Sequence, residues 1–311
     1  MSTDARFPDF YIFGAPKCGT TALFEYLARH PDVAMSSVKE PQYFCTDFPD
    51  ILQVHGGEAG YLRLWKDARP GQLRGEGSVW YLFSKAAAAN VAAVRPDARI
   101  VVMLRDPVEA AHAMHMQGRL TMREDTDSFA AAWDLQDERA AGRGLPAYCP
   151  FPESLQYRDA YSYAPQIERL WSHFPREQVK IVLFDDFRAD PGAVYRDVVA
   201  FLGLPAHELD DYPRINEARA YRSHPLVRFL TSPPAVLRPL VLPTKKLLNR
   251  LGFKPSKVLV PTLAETGPRE ALGPQDHARI AEAFRDDVGR LSTLLGRDLS
   301  QWLRTPGAAA P

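Results

Sequence analysis

Lys17 and the threonines Thr20 and Thr21 lie in a segment bounded by Gly14 and Gly19, reading Gly14-Ala15-Pro16-Lys17-Cys18-Gly19-Thr20-Thr21. One cation, two hydroxyls and two flexible backbone positions in eight residues are what a phosphate cradle needs. The apolar run Phe10-Tyr11-Ile12-Phe13 enters this loop, and Leu23, Phe24 and Leu27 follow it at helical spacing, so the pattern predicts strand, loop and helix. The first backbone N–H groups of such a helix and the positive end of its dipole would converge with Lys17 on one anion. The loop residues Ala15 to Thr21 are therefore the first candidate binding set.

The lysine's position matters. A nucleoside-triphosphatase loop carries its lysine directly after the second glycine, where this chain has Thr20, while Lys17 lies inside the loop. A nucleotide kinase or hydrolase is thus the weaker reading, and a non-catalytic nucleotide-binding protein is a further alternative. Cys18, Cys45 and Cys149 have no CxxC or CxxH spacing, which argues against a zinc site or a disulfide framework. His112 and His115 are three apart on a predicted helix, too few for a metal site without further ligands. Asp185-Asp186 ends a predicted strand, where adjacent side chains face opposite ways, so a capping role is expected rather than an acid pair.

The elements that must position these residues alternate. Arg99 to Asp106 and Val179 to Asp186 are continuous apolar runs with charged ends, the pattern of strands buried on both faces. Helices are predicted over 127–141 and 161–174, from Pro191 to a stop at Gly203, and over 274–295 with Ile280, Phe284, Val288, Leu291 and Leu295 inward. This alternation predicts an α/β fold with a P-loop-like, doubly wound parallel sheet and helices on both faces. Ligands of such sheets lie beyond the carboxyl ends of the strands. Lys17 and Arg105 both follow strands there, 88 residues apart in sequence.

The chain of 311 residues is expected to form one domain: a core over about 8–212, a basic flap over 213–260 and a terminal helix region over 261–304. The flap holds ten basic residues and one acidic residue, Glu217, and is a candidate for closing over an anion or touching an acidic surface. The tail 307–311 is expected to be disordered. Lys plus Arg equals Asp plus Glu at 38 each, so no overall field favours nucleic acid. The first strand follows the N-terminus closely, no apolar run reaches about 18 residues, and the cysteines fit a reducing compartment; a cytoplasmic location without a membrane span is the expectation.

The loop Gly14-Ala15-Pro16-Lys17-Cys18-Gly19-Thr20-Thr21 resembles the 5'-phosphosulfate loop of sulfotransferases that use 3'-phosphoadenosine 5'-phosphosulfate (PAPS). Leu104-Arg105-Asp106-Pro107-Val108 resembles that family's second signature, whose arginine grips the 3'-phosphate. A guanidinium suits the task because its planar fork donates twice and stays charged. Similar members carry a serine eight residues further on, where this chain has Ala113; Ser223 or a backbone N–H is the expected substitute. Lys39-Glu40-Pro41-Gln42-Tyr43-Phe44 resembles the segment that supplies the catalytic carboxylate in the bacterial and glycan-modifying branch.

What the resemblance implies is sulfuryl transfer from PAPS to a hydroxyl or amine of a small-molecule, lipid or sugar acceptor, leaving 3',5'-adenosine bisphosphate. Glu40 would be the base and Lys17 would stabilise the leaving phosphate. The family's last cofactor loop would map near 216–222, which makes Arg222 a further candidate contact. Gly75-Glu76-Gly77-Ser78-Val79-Trp80-Tyr81 matches a third block in part, with Gly77 where glycan-modifying enzymes often have lysine. Trp80 and Tyr81 either line the acceptor site or fill the core. No metal is implied.

Overall fold

The computed structural model describes residues 4, 6–49, 56–121, 123–147, 149–213 and 272–305. The basic flap, with Arg222 and Ser223, and the 307–311 tail lie outside the described residues. The chain divides into two compact units, one of residues 1–111, 157–216 and 274–311, the other of 112–156 and 217–273.

The first unit is built on five parallel strands: β1 (Phe10–Ile12), β2 (Val33–Met35), β3 (Leu73–Gly77), β4 (Arg99–Leu104) and β5 (Val179–Leu183), in the order β2-β3-β1-β4-β5. Register runs Ile12↔Gly77 on one side of β1 and Ile12↔Val101 on the other. β1 is wholly buried and β4 is buried beyond Arg99, as expected for strands covered on both faces. From β1 the chain steps one way to β2, and from β3 the other way to β4. Right-handed crossovers then put α1 (Thr20–Ala28) and α3 (Ala87–Val94) on opposite faces, the doubly wound arrangement. A short helix, α2 (Gly57–Leu62), lies between β2 and β3.

β2 is only three residues long and β3 carries no apolar run, and sequence patterning misses both. In β3 the alternation is instead glycine against glutamate. A Cβ at Gly75 would lie 2.2 Å from the Phe10 ring, and one at Gly77 would lie 3.0 Å from Phe24. The aromatics of β1 and α1 thus fill the space on that face, while Glu76 points to the other. A side chain at position 77 would therefore have to shift the Phe24 ring by a few tenths of an ångström.

α4 (Pro107–Leu120) starts on proline after Asp106, whose carboxylate accepts the Val108 N–H at 2.8 Å and the Glu109 N–H at 3.2 Å. Three predicted helices are each divided in two. The 127–141 segment forms α5 (Phe129–Asp134) and α6 (Gln136–Ala140), both in the second unit. The 161–174 segment breaks at Ser162 between α7 (Tyr157–Tyr161) and α8 (Tyr163–Trp171), because Asp287 takes the Tyr163 and Ala164 N–H groups at 2.8 and 3.0 Å and starts a new helix.

Asp185 and Asp186 lie in the first turn of α9 (Phe184–Ala189) rather than on the strand. There Asp185 accepts from Trp302 Nε1 and Asp186 pairs with Arg297, so they tie down the C-terminal segment. α10 (Pro191–Phe201) begins on Pro191 with Asp190 accepting the Ala193 N–H, as the proline predicts. The 274–295 region divides at Phe284 into α11 (Pro274–Ala283) and α12 (Arg285–Leu295). Ile280, Phe284, Val288 and Leu291 are buried as expected, whereas Leu295 is half-exposed.

Candidate active site

The carboxyl ends of β1 and β4 meet where the direction of chain winding reverses, and the two cationic candidates meet there too. The Arg105 guanidinium donates to the Lys17 carbonyl at 3.3 Å, pairs with Glu109 and lies over the Phe184 ring at 4.7 Å. These contacts fix the fork before any anion arrives. The loop itself is pinned by backbone: Ala15 N–H donates to Met103 O and Met103 N–H to Gly14 O, both at 2.7 Å.

That pinning sorts the loop residues. The Ala15 amide is committed to β4, Pro16 has no N–H, and the Cys18 N–H turns back to Ala15 O at 3.3 Å. These three shape the loop. By contrast, Gly19, Thr20 and Thr21 open α1 with no side-chain cap, and among the described residues their N–H groups have no protein acceptor. Gly19 sits at φ 89°, and its carbonyl accepts from Ala22 and Leu23. With Lys17 and Arg105 nearby, the free donors fit a phosphate.

Cys18 is fully buried, with Sγ 3.4 Å from Pro16 O and 3.7 Å from the Tyr163 hydroxyl. Burial pushes its thiol up to about 11, so it is no nucleophile at neutral pH. Tyr161 adds a hydroxyl donated to Pro16 O at 3.3 Å. Asp106, behind Arg105, is pushed up to about 7 by burial, against the two α4 amides that it caps.

The second rim segment carries Glu40. Its backbone N–H donates to Gly77 O at 2.9 Å, at the end of β3 and in register with Ile12, so it shares the strand-end rim with the anion loop. The Glu40 carboxylate is 41% exposed and pairs with Lys39 Nζ at 2.6 Å. Exposure keeps it accessible to a substrate. Lys17 (φ 65°), Glu40 (φ 60°) and Gln42 (φ 53°) are the non-glycine residues in the left-handed region among the described residues. Such a conformation costs about 1–3 kcal/mol per residue and persists where surroundings over-determine it, typically at functional sites. Both residues with an expected role in chemistry are in that set.

Sequence patterning assigned no role to Glu76, and no periodicity could have. It is fully buried and accepts from three hydroxyls: Ser78 on Oε1 at 2.5 Å, and Tyr61 and Tyr81 on Oε2 at 2.6 and 2.9 Å. Burial pushes its carboxyl up to about 7 against the three donors and Lys39. Trp80 and Tyr81 are core residues, 6% and 1% exposed.

His112 and His115 belong to the second unit. His112 stacks on Phe129, while buried His115 places Nε2 2.9 Å from Thr126 O, and burial lowers its pKa. Ala113, buried on α4, belongs to that unit as well.

Fold and rim together define a parallel α/β domain of P-loop-like fold with a glycine-bounded loop at its switch point. A family model for the sulfotransferase domain matches residues 7–236, and the chain belongs to that family. It is 30% identical over 216 residues to the mouse heparan sulfate glucosamine 3-O-sulfotransferase 3B1, covering 70% of this chain and 51% of that protein. It is 28% identical to the human bifunctional heparan sulfate N-deacetylase/N-sulfotransferase 3 over 225 residues, 70% of this chain and 24% of the relative. The chain therefore spans about half or less of these curated relatives. A sulfotransferase crystal structure from Alicyclobacillus acidocaldarius superposes with a TM-score of 0.69 at 29% identity, covering 96% of this chain and 99% of that one. Among the described residues no helix is long and apolar enough to cross a membrane.

Proposed function

We propose that this chain transfers a sulfuryl group from PAPS to a hydroxyl or amine, releasing 3',5'-adenosine bisphosphate. The observation that carries the reading is the Arg105–Lys17 contact, which joins the two cofactor signatures at one strand-end rim. PAPS supplies an activated sulfuryl group on a phosphate leaving group. The Gly19, Thr20 and Thr21 amides and Lys17 would hold its 5'-phosphate and stabilise the charge that develops there. Arg105 would take the 3'-phosphate, with Arg222 as a further contact and with Ala113 where other members place serine.

Glu40, exposed beside that rim, would take the acceptor's proton, and in-line transfer then depends on positioning and electrostatics. Lys39 can follow the change of charge on Glu40 through their ion pair. Three free cysteines, two of them buried, fit a reducing compartment. Because the two curated relatives are named as sulfotransferases of heparan sulfate, one of them of its glucosamine, amino-sugar glycans lead the acceptor classes, with lipids and small phenols behind them.

The test is transfer of label from [35S]PAPS to pools of N-deacetylated glycan, lipid and phenol, with Lys17→Ala as control. Label entering one pool, and losing at least about a hundredfold in rate with the variant, supports the reading. No transfer or sulfate release by a folded parent protein sinks it.

A further inference from the structure

We infer that Glu76 is the positioning residue that holds the Glu40 segment in place, acting through Ser78 and Tyr81 on the backbone of residues 42–44. The inference rests on the reading of Glu40 as the proton acceptor. It starts from a buried carboxylate, an expensive group to keep in a core, whose partners share one destination.

Each hydroxyl has a single proton. The Ser78 hydroxyl gives its proton to Glu76 at 2.5 Å, which leaves its oxygen to accept the Gln42 N–H at 3.0 Å. The Tyr81 hydroxyl gives its proton to Glu76 at 2.9 Å and accepts the Phe44 N–H at 3.3 Å. The third donor, Tyr61, stacks on Tyr43 with ring centroids 4.2 Å apart and planes 13° apart. All three groups that satisfy Glu76 thus touch consecutive residues of the Glu40 segment.

The direction of these bonds matters. Once ionised, above about pH 7, the Glu76 carboxylate only accepts, which forces both hydroxyl protons inward and so turns both oxygens toward the segment. An amide at the same place brings its own protons toward Ser78 or Tyr81, and one relay must reverse. The segment needs such support because Glu40 and Gln42 both occupy the left-handed region, and its other tie to the sheet on this rim is the Glu40 N–H on Gly77 O.

Residue-resolved amide exchange at about pH 8, where Glu76 is ionised, on the parent, Glu76→Gln and Ser78→Ala proteins tests the inference. In Glu76→Gln the Gln42 and Phe44 amides should exchange at least about tenfold faster while Tyr11 and Ile100 in the sheet keep their protection. Ser78→Ala should speed Gln42 and spare Phe44, and it covers the case in which Glu76→Gln does not fold. Release of [35S]sulfate from PAPS to water should fall about tenfold in each folded variant with affinity for 3',5'-adenosine bisphosphate unchanged. Unaltered exchange at Gln42 in both variants, or acceleration spread evenly over the sheet, overturns the inference. A parent that neither binds the bisphosphate nor releases sulfate overturns the sulfotransferase reading instead, and the exchange data still decide the role of Glu76.

Discussion

The loop at 14–21 and the segment at 39–45 lie at neighbouring strand ends, and each holds a left-handed non-glycine residue, yet the balance of what secures them differs. The first is tied to β4 backbone to backbone, through Ala15, Met103 and Gly14, and the Arg105 and Tyr161 side chains close on its Lys17 and Pro16 carbonyls. The Gly19, Thr20 and Thr21 amides at the start of α1 have no protein acceptor among the described residues. The second meets the sheet by backbone at Glu40 N–H on Gly77 O, but the Gln42 and Phe44 amides are held by side chains that end on a buried carboxylate. A substitution in the core can therefore disturb the second while leaving the first intact, which separates turnover from nucleotide affinity.

The largest expected effect is on the second segment. Glu40→Gln keeps shape but takes no proton, so kcat should fall by about 10²–10⁴ while bisphosphate affinity stays near the parent value. Steady-state rates and calorimetry on the same preparation check this. Equal loss of binding would show that the two regions are not separable. In the first loop, Lys17→Ala should lower turnover by about 10²–10³ with little change in thermal midpoint. Turnover within about twofold of the parent would remove Lys17 from the chemistry.

Arg105→Ala should act on affinity. Loss of charge-assisted hydrogen bonds worth about 1.5–3 kcal/mol corresponds to roughly ten- to a hundredfold weaker binding of a 3'-phosphorylated nucleotide. The nucleotide lacking that phosphate should bind both proteins alike. If both nucleotides weaken equally, Arg105 is instead a support for the Lys17 carbonyl that it touches.

The smallest effect is on stability against pH. The Glu76 carboxyl is raised in the folded state from 4.5 to about 7, so its contribution is fully present below pH 4.5 and is lost as pH rises through about 7. The change is on the order of 3 kcal/mol at most. Urea midpoints measured across pH 4.5–8 should fall less steeply for Glu76→Gln than for the parent. A residual slope of the same sign is expected from Asp106 and Asp287, raised to about 7 and about 6 by burial.

How far the sequence carries differs along the same rim. Phe10–Phe13 and Ile100–Leu104 announce buried parallel strands by unbroken apolar runs, and each leads directly into a charged candidate, Lys17 or Arg105. Their meeting follows from the topology rule for parallel sheets. β3 gives no such signal, since its glycines make room for Phe10 and Phe24 and the side chain between them is Glu76. That residue's role depends on Tyr61, Ser78, Tyr81 and residues 42–44, gathered by folding rather than by spacing. The helix break at Ser162 is likewise tertiary, because the carboxylate that starts α8 comes from Asp287, more than a hundred residues away.

Calorimetric titration of the parent protein with 3',5'-adenosine bisphosphate and with adenosine 5'-phosphate tests the central claim most directly. The account predicts at least about tenfold tighter binding of the bisphosphate, because Arg105 and the α1 amides each have a phosphate to hold. Equal affinities for the two nucleotides would contradict it.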